Sequence, residues 1–290
     1  MKKIAISTAI GLVAGVGCIL WAMYEASEGH IVMFYNLPSF LIIIGGTIAC
    51  LIVSFPTESI KTMPSVVMIA FRKNAFHDLL SDVERLMECA YLVRREGILA
   101  LENILEQFDD DPFLKRGLSL LVDGVDGDTF ELFLQTDIIQ AKQRHNTGCE
   151  MVSMIAATAP SLGLVGTYAG LIPMLNSLDD PIALGPLMAL ELISSFYGAF
   201  LAYLIFAPLA KRLRFIAAAE HSRNILILEG LLNIRDGRNP KLIQENLMAF
   251  VSRIDSKKNK RRGKNQSIVA DFLPRRVEPA ESPFVAGRFD

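Results

Sequence analysis

The chain has 290 residues, of which 51% are hydrophobic, and its formal net charge is only −2. This length accommodates several membrane spans together with a small domain, and so small a net charge excludes a global basic field for binding nucleic acid. The four cysteines form no CxxC pair and the four histidines are scattered, which argues against a disulfide framework or a metal site. Because the sequence has no nucleophile–base set and no phosphate-binding loop, we predict neither an enzyme nor a bound cofactor.

Two apolar segments near the start of the chain are predicted to cross the membrane. Residues 4–23 carry no charged side chain and, at about 20 residues, are long enough to span a hydrocarbon core. A cleaved signal peptide is the competing interpretation, but no convincing small-x-small cleavage site follows. The second segment, residues 39–55, contains Gly45 and Gly46, which permit close helix approach. Pro38 stands at its entrance, where a missing N–H costs no hydrogen bond.

Two further spans, residues 151–175 and 186–209, are predicted after a polar central region. The loops 24–38 and 176–185 contain no lysine or arginine. Basic residues flank the spans on the opposite side instead: Lys2, Lys3, Lys61, Arg72, Lys73, Lys142, Arg144, Lys211, Arg212 and Arg214. The positive-inside rule therefore predicts that both termini and the central region lie in the cytoplasm.

The central region is predicted to be helical, because apolar residues recur at three- and four-residue steps from Phe76 to Ala90. A run of aspartates forms a turn before Pro112, which opens the next helix at its first turn. The acidic stretch 123–128 (DGVDGD) is interpreted as a turn and helix cap, since it lacks the downstream bidentate glutamate of a calcium loop. From Thr129 a helix is predicted to run directly into the third span.

Beyond the fourth span, we expect a helix from Lys211 to Ile234 and another from Asn239-Pro240 to about Ile254. The remainder is polar, aperiodic and rich in lysine and arginine at its start (SKKNKRRGK), which is typical of a disordered tail. The basic run either touches anionic lipid or is simply solvated. These patterns divide the chain into a first transmembrane hairpin (1–55), a cytoplasmic helical domain (56–150), a second transmembrane hairpin (151–209), cytoplasmic C-terminal helices (210–255) and a basic tail (256–290). The predicted fold is an all-α polytopic membrane protein with four transmembrane helices and a helical cytoplasmic domain.

Small and hydroxylated residues form a stripe on each helix of the second hairpin, at helical steps of three or four. The stripe of the third span comprises Pro160, Gly163, Gly166, Thr167 and Gly170, and that of the fourth comprises Glu191, Ser194, Ser195, Gly198 and Ala202. Helix packing explains the glycines, which let backbones approach closely. It explains Glu191 poorly, because an ionised acid near mid-membrane costs about 2.5–3.5 kcal/mol. Glu191 is therefore expected to face a partner or a water-filled path, or else to lie near the interface.

Several longer stretches occur in a recognisable order. They are PSFLIIIGGTIACLIVSFP, RREGILALE, APSLGLVGTYAGLIPML, SSFYGAFLAYLIFAPLAKRL and ILEGLLNIRDGRNPKLIQENL. With these stretches the chain resembles, over roughly residues 4–253, the MotA/PomA stator subunits of the bacterial flagellar motor, within the MotA/TolQ/ExbB channel superfamily. The TolQ/ExbB branch has three spans in a different order, so the extra first hairpin favours the MotA branch.

The resemblance implies a multi-pass protein of the bacterial inner membrane that forms a ring, five copies around two copies of a single-span MotB-type partner. Ion flow through this assembly would turn the ring, and its cytoplasmic domain would push on a rotor protein of the FliG type. By the same resemblance, Thr167 and Ser195 face the ion path, Pro160 and Pro208 are conformational prolines, and Arg94 and Glu102 engage the rotor.

One departure from the family pattern concerns Glu191, where a small apolar residue is usual and where TolQ/ExbB members carry a glutamate nearby. In addition, Ser194 and Ser195 stand for a Thr-Thr pair. We therefore include Glu191 and Ser194 in the predicted ion path and leave open whether the ion is a proton or sodium. The alternative function is a TolQ/ExbB-like subunit that powers transport or surface movement through another single-span partner.

Overall fold

The computed structural model describes residues 6–71 and 79–251, and within these ranges the chain is built from helices with no β-strand. The predicted tail 256–290 lies outside the described residues, as do the basic residues Lys2, Lys3, Arg72 and Lys73. Long helices alternate with short capped turns, so the architecture follows from where each helix begins and ends.

The first hairpin consists of α1 (Ile6–Ala26) and α2 (Leu37–Ser54), joined through a 3₁₀ turn. Asn36 caps α2, since its Oδ1 accepts a hydrogen bond from the backbone N–H of Ser39 at 3.0 Å. A π-helical turn interrupts α2 at Leu41–Gly45. α1 lies at the periphery and contacts the fourth span, where Gly15 faces the side chain of Leu204.

Helix α3 (Thr57–Ala70) follows the first hairpin and packs against the two longest helices of the chain. A small apolar cluster holds it there: Ala70, Cys149, Val152, Leu209, Ala210 and Leu213. Val66 covers Gly148, where a Cβ would stand 2.9 Å from the nearest Val66 methyl carbon. The small side chain at position 148 thus permits the close crossing.

A helical domain, which we call the cytoplasmic domain because the positive-inside rule predicts it to lie in the cytoplasm, contains α4 (Leu79–Glu96), a 3₁₀ segment (Ile98–Phe108) and α5 (Pro112–Val122). As predicted, Pro112 opens α5, and the side chain of Asp111 caps it by accepting from the N–H of Leu114 at 3.2 Å. The domain is completed by α8 (Pro240–Met248), which ends before the predicted limit near Ile254. Its apolar core includes Leu86, Leu101, Leu118, Phe130, Leu134, Leu226, Leu231 and Ile243.

The remaining helices, α6 (Gly127–Asn176) and α7 (Pro181–Arg235), each run from the membrane into the cytoplasmic domain. The side chain of Asp180 caps α7 by accepting from the N–H of Ile182 at 3.0 Å, so this helix begins before the predicted start of the fourth span at residue 186. A π-helical turn interrupts α7 at Phe200–Phe206. α6 and α7 pack along one another over most of their membrane halves.

Four helices of the described residues are long and apolar enough to cross a membrane: Thr8–Ala26, Leu37–Ser54, Gly127–Asn176 and Pro181–Arg235. Together with the helical domain built on α4, α5 and α8, they confirm the predicted all-α polytopic fold. The glycines of both stripes lie on the contact between α6 and α7.

Candidate functional site

Glycines form the contact face between the membrane halves of α6 and α7, and all four are buried: Gly163, Gly166, Gly170 and Gly198. A Cβ at position 163 would stand 3.1 Å from the carbonyl oxygen of Ser194. A Cβ at position 170 would stand 2.8 Å from the carbonyl oxygen of Leu187. The two backbones therefore touch directly, which is the packing use of small residues in membrane helices.

Ser194 lies on the inner side of this contact and is completely buried. Its Oγ donates a hydrogen bond to Oγ of Ser39 in α2 at 2.9 Å. Ser39 Oγ is in turn within 3.0 Å of Asn36 Oδ1 and 3.2 Å of the carbonyl oxygen of Leu190. The structure thus gives Ser194 a packing role between α2 and α7, and its place in the ion path stays a prediction.

Thr167, Ser195 and Glu191 are half-buried on the same hairpin. Thr167 donates its hydroxyl to the carbonyl oxygen of Leu164 at 2.7 Å, within its own helix. Glu191 lies beside Gly170, where a Cβ would stand 3.3 Å from the Cβ of Glu191. All three retain some exposed surface.

The two predicted conformational prolines occupy different settings. Pro160 is half-buried in α6 and faces α7, since a Cβ at Gly198 would stand 3.2 Å from the Cα of Pro160. Pro208 is exposed and follows the π-helical turn of α7. A proline leaves the carbonyl four residues earlier without its helical N–H partner, and a π turn also departs from the regular pairing. Helical hydrogen bonding is therefore least regular in this part of α7.

Arg94 and Glu102 are both exposed on the cytoplasmic domain, one in the last turn of α4 and the other in the 3₁₀ segment. Gly97 separates the two elements with φ of +90°, a conformation that favours glycine. The adjacent Arg95 pairs with Glu96 at 2.6 Å. Within the part of the chain that the structure describes, neither Arg94 nor Glu102 carries an ion pair.

Comparison with known proteins places this hairpin in a defined group. The sequence model of the MotA/TolQ/ExbB proton channel family matches residues 106–224. Motility protein A of Borreliella burgdorferi is 34% identical over 247 residues, which cover 85% of this chain and 94% of that protein. The chain belongs to the MotA/TolQ/ExbB family.

Further relatives of this family member agree with that assignment. The chemotaxis protein PomA of Vibrio alginolyticus is 34% identical over 249 residues, covering 85% of this chain and 95% of that protein. Among solved structures, the flagellar MotAB stator complex from Bacillus subtilis matches with a TM-score of 0.77 at 29% identity, covering 86% of this chain and 97% of the matched chain. The identification as a MotA-type member of the MotA/TolQ/ExbB family is thereby confirmed.

A buried ionic cluster in this family member was not predicted from its sequence. Nε and Nη2 of Arg223 donate to Oδ2 and Oδ1 of Asp82 at 2.7 and 2.8 Å, and Nη2 also donates to Oδ2 of Asp111. Burial by itself lowers the pKa of Arg223, but the hydrogen bonds and charges of the two aspartates outweigh it and raise the pKa. Asp111 carried a local signal only as part of the turn predicted before Pro112. The ionic pairings themselves had no local signal, because Arg223 lies 141 residues from Asp82 and 112 residues from Asp111 in the sequence.

Proposed function

We propose that this chain is the ring-forming subunit of a flagellar motor stator, which couples inward ion flow to torque on the rotor. Its similarity to motility proteins and to a stator complex supports the general function of a stator subunit. The proposed ion path and rotor contact rest on the geometry of the α6–α7 hairpin and on the resemblance of individual positions to those of the family.

The observation that carries the proposal is the continuity of α6 and α7. Each is one helix with one part in the membrane and the other in the cytoplasmic domain. In that domain α6 contributes Phe130 to the apolar core and α7 contributes Leu231. A tilt or rotation of the hairpin in the membrane is therefore transmitted to the cytoplasmic domain. One elementary charge that crosses 100 mV releases about 2.3 kcal/mol, so a few ions supply enough free energy for a mechanical step.

The half-buried residues of the hairpin supply one wall of the proposed ion path. Thr167 and Ser195 offer hydroxyl oxygens. Glu191 offers a carboxylate four residues before Ser195, on the same face of α7. A single-span MotB-type partner would supply the opposite wall and the ion-binding acid, with five copies of this chain around two of the partner. The transported ion is a proton or sodium, and lipid of the inner membrane surrounds the ring, with both termini in the cytoplasm.

The exposed charges of the cytoplasmic domain form the proposed rotor contact. Arg94 and Glu102 would meet complementary charges on a rotor protein of the FliG type. Contacts between solvent-exposed charges contribute only about 0.2–1 kcal/mol each. Such weak contacts exchange quickly, which suits a surface that must engage and release at every step.

Deletion of the gene tests the proposed function. We expect cells that still assemble flagellar filaments but do not swim, with rotation restored by the plasmid-borne chain. Loss of the filaments would instead indicate a role in export or assembly. Motor speed measured with and without sodium then identifies the ion, because only a sodium-driven stator stops when sodium is removed.

A TolQ/ExbB-like role in transport or surface movement is the alternative, and Glu191 is the residue that favours it. Under that role the deletion strain would swim normally and lose uptake or surface movement. Swimming of the deletion strain therefore distinguishes the two functions.

A further inference from the structure

We propose that Arg223 is a positioning residue that attaches both ends of the rotor-facing segment to the helix arriving from the membrane. The rotor-facing segment is defined here as residues 79–111, which comprise α4, Gly97 and the 3₁₀ segment as far as the cap of α5. This proposal rests on the proposed function, because it concerns how the charges of Arg94 and Glu102 are held.

The geometry places one guanidinium group at both ends of this segment. Asp82 lies in the first turn of α4, and Asp111 follows the 3₁₀ segment as the cap of α5. Arg223 lies on the cytoplasmic half of α7 and donates through two nitrogens to Asp82, at 2.7 and 2.8 Å, and through Nη2 to Asp111. Both ends of the rotor-facing segment are therefore bound by the side chain of Arg223.

The surroundings indicate a role beyond simple stability. The side chains of Arg223, Asp82 and Asp111 are each only 6% exposed, yet the residues around them form the apolar core of the domain. A buried ion pair is often no more stabilising than well-packed apolar residues of similar volume. The guanidinium adds an orientational restraint, because its planar pair of N–H donors binds a carboxylate in a restricted geometry.

This orientational restraint matters because the rotor-facing segment has to transmit force. Apolar packing is non-directional, so the contact of Leu86 with Gly230 does not by itself orient α4 on α7. The paired hydrogen bonds of Arg223 to Asp82 restrict both the register and the angle of α4. A force applied at Arg94 or Glu102 is then passed through the rotor-facing segment to α7, and hence to the membrane hairpin.

Hydrogen exchange of the full-length chain in detergent-extracted rings tests this attachment directly. In Arg223→Lys the charge remains but the planar pair of donors is lost, and we expect exchange to rise by roughly tenfold or more at both residues 79–96 and 98–111. Arg85→Lys is the matched control, because Arg85 pairs with Asp110 at 3.2 Å in the same region but is partly exposed; we expect it to leave exchange unchanged. Unchanged exchange in Arg223→Lys, or a rise at one end only, would overturn the proposal.

Two further variants keep the test decisive if the lysine variant fails to assemble. Asp111→Asn retains an N-cap acceptor and is expected to raise exchange at residues 98–111 while leaving residues 79–96 protected. An uncharged replacement, Arg223→Met with Asp82→Leu and Asp111→Asn, removes the buried charges and is expected to assemble with reduced stall torque. Full stall torque in that variant would show that apolar packing alone positions the segment and would overturn the proposal.

Failure of this proposal is distinguishable from failure of the proposed function. Hydrogen exchange is measured on extracted rings that need not rotate, whereas the stator function is tested by swimming of the deletion strain. A chain that is not a stator subunit would show its altered exchange in Arg223→Lys while the deletion strain continued to swim.

Discussion

Gly198 packs directly against the carbonyl oxygen of Ala159, so closely that a Cβ at position 198 would stand 2.6 Å from that oxygen. The obstacle is backbone rather than the end of a flexible side chain, so relief requires the two helices to separate. The same hypothetical Cβ would stand 3.2 Å from the Cα atoms of Gly163 and Pro160. The α6–α7 contact therefore depends on the absence of a side chain at position 198.

We predict that Gly198→Ala weakens assembly of the hairpin and lowers the melting temperature of the extracted ring. Overpacking of this kind typically costs about 1–3 kcal/mol. Gly185→Ala is the matched control, since it lies on the same helix with open space around it and should leave the melting temperature unchanged. Equal melting temperatures for both variants would contradict the observed packing.

Ser194 and Ser195 are expected to respond differently to alanine, although they are neighbours in sequence. Ser194→Ala removes the bond to Ser39 and should lower stability slightly, since hydrogen bonds between membrane helices contribute about 0.6 kcal/mol on average. Ser195→Ala should reduce motor speed without lowering stability. Tethered-cell speed and thermal stability of both variants decide this, and a speed loss confined to Ser194→Ala would place the ion path on the opposite side of the helix.

Glu191→Gln should insert and assemble normally but change ion-driven rotation, because it removes a titratable group while keeping the shape of the side chain. Glutamine has nearly the same volume as glutamate, so the half-buried position beside Gly170 accommodates it. Speed is to be recorded across a range of external pH, with the exposed loop variant Asp179→Asn as control. If Glu191→Gln rotates like the parent chain at every pH, Glu191 is a structural residue.

Charge reversal at Arg94 or Glu102 should reduce stall torque while ring assembly stays intact. Both side chains are exposed, and surface substitutions of this kind usually change stability by less than about 0.5 kcal/mol. Arg95→Glu provides the comparison, because Arg95 is equally exposed but pairs with Glu96. Collapse of the ring in the Arg94 or Glu102 variants would make these residues structural, and an equal torque loss in Arg95→Glu would make the effect one of general surface charge.

Cys89 should resist alkylation at neutral pH, because burial raises the pKa of this thiol from its ordinary 9.0 to about 12. We expect slow maleimide labelling of a variant in which the other cysteines, Cys18, Cys50 and Cys149, are replaced by alanine. Tyr91→Cys, placed in that background with Cys89→Ala, should label quickly, since position 91 is exposed. Labelling of Cys89 as fast as this control would indicate an open domain core.

The raised pKa also sets the sign of a pH effect on the free energy of unfolding. Below pH 9 the thiol of Cys89 is neutral in both states, so it does not oppose folding. Between pH 9 and 12 the unfolded thiol ionises while the folded one does not, which stabilises the unfolded state. Denaturant midpoints should therefore fall faster with rising pH when Cys89 is present than in Cys89→Ala.

Much of the fold could be predicted because its signals are local. A span needs only a long apolar run, and Pro112 after an aspartate indicates a helix start through its own geometry. The stripe residues could likewise be assigned to helix faces by their spacing. The π-helical turns at residues 41–45 and 200–206 could not, since they replace regular pairing inside stretches whose composition is uniformly apolar.

Hydropathy and helical periodicity are properties of neighbouring residues, so the number of spans and the contact face of small residues could be predicted from the amino-acid order alone. Long-range packing was needed to show that Ser194 turns inward to Ser39 while Ser195, one position further along the helix, keeps an exposed surface. It also decided that Arg223 joins Asp82 and Asp111. Such pairings depend on which residues folding brings into one buried place, and the strength of an ionic hydrogen bond there comes from the exclusion of water rather than from any local pattern.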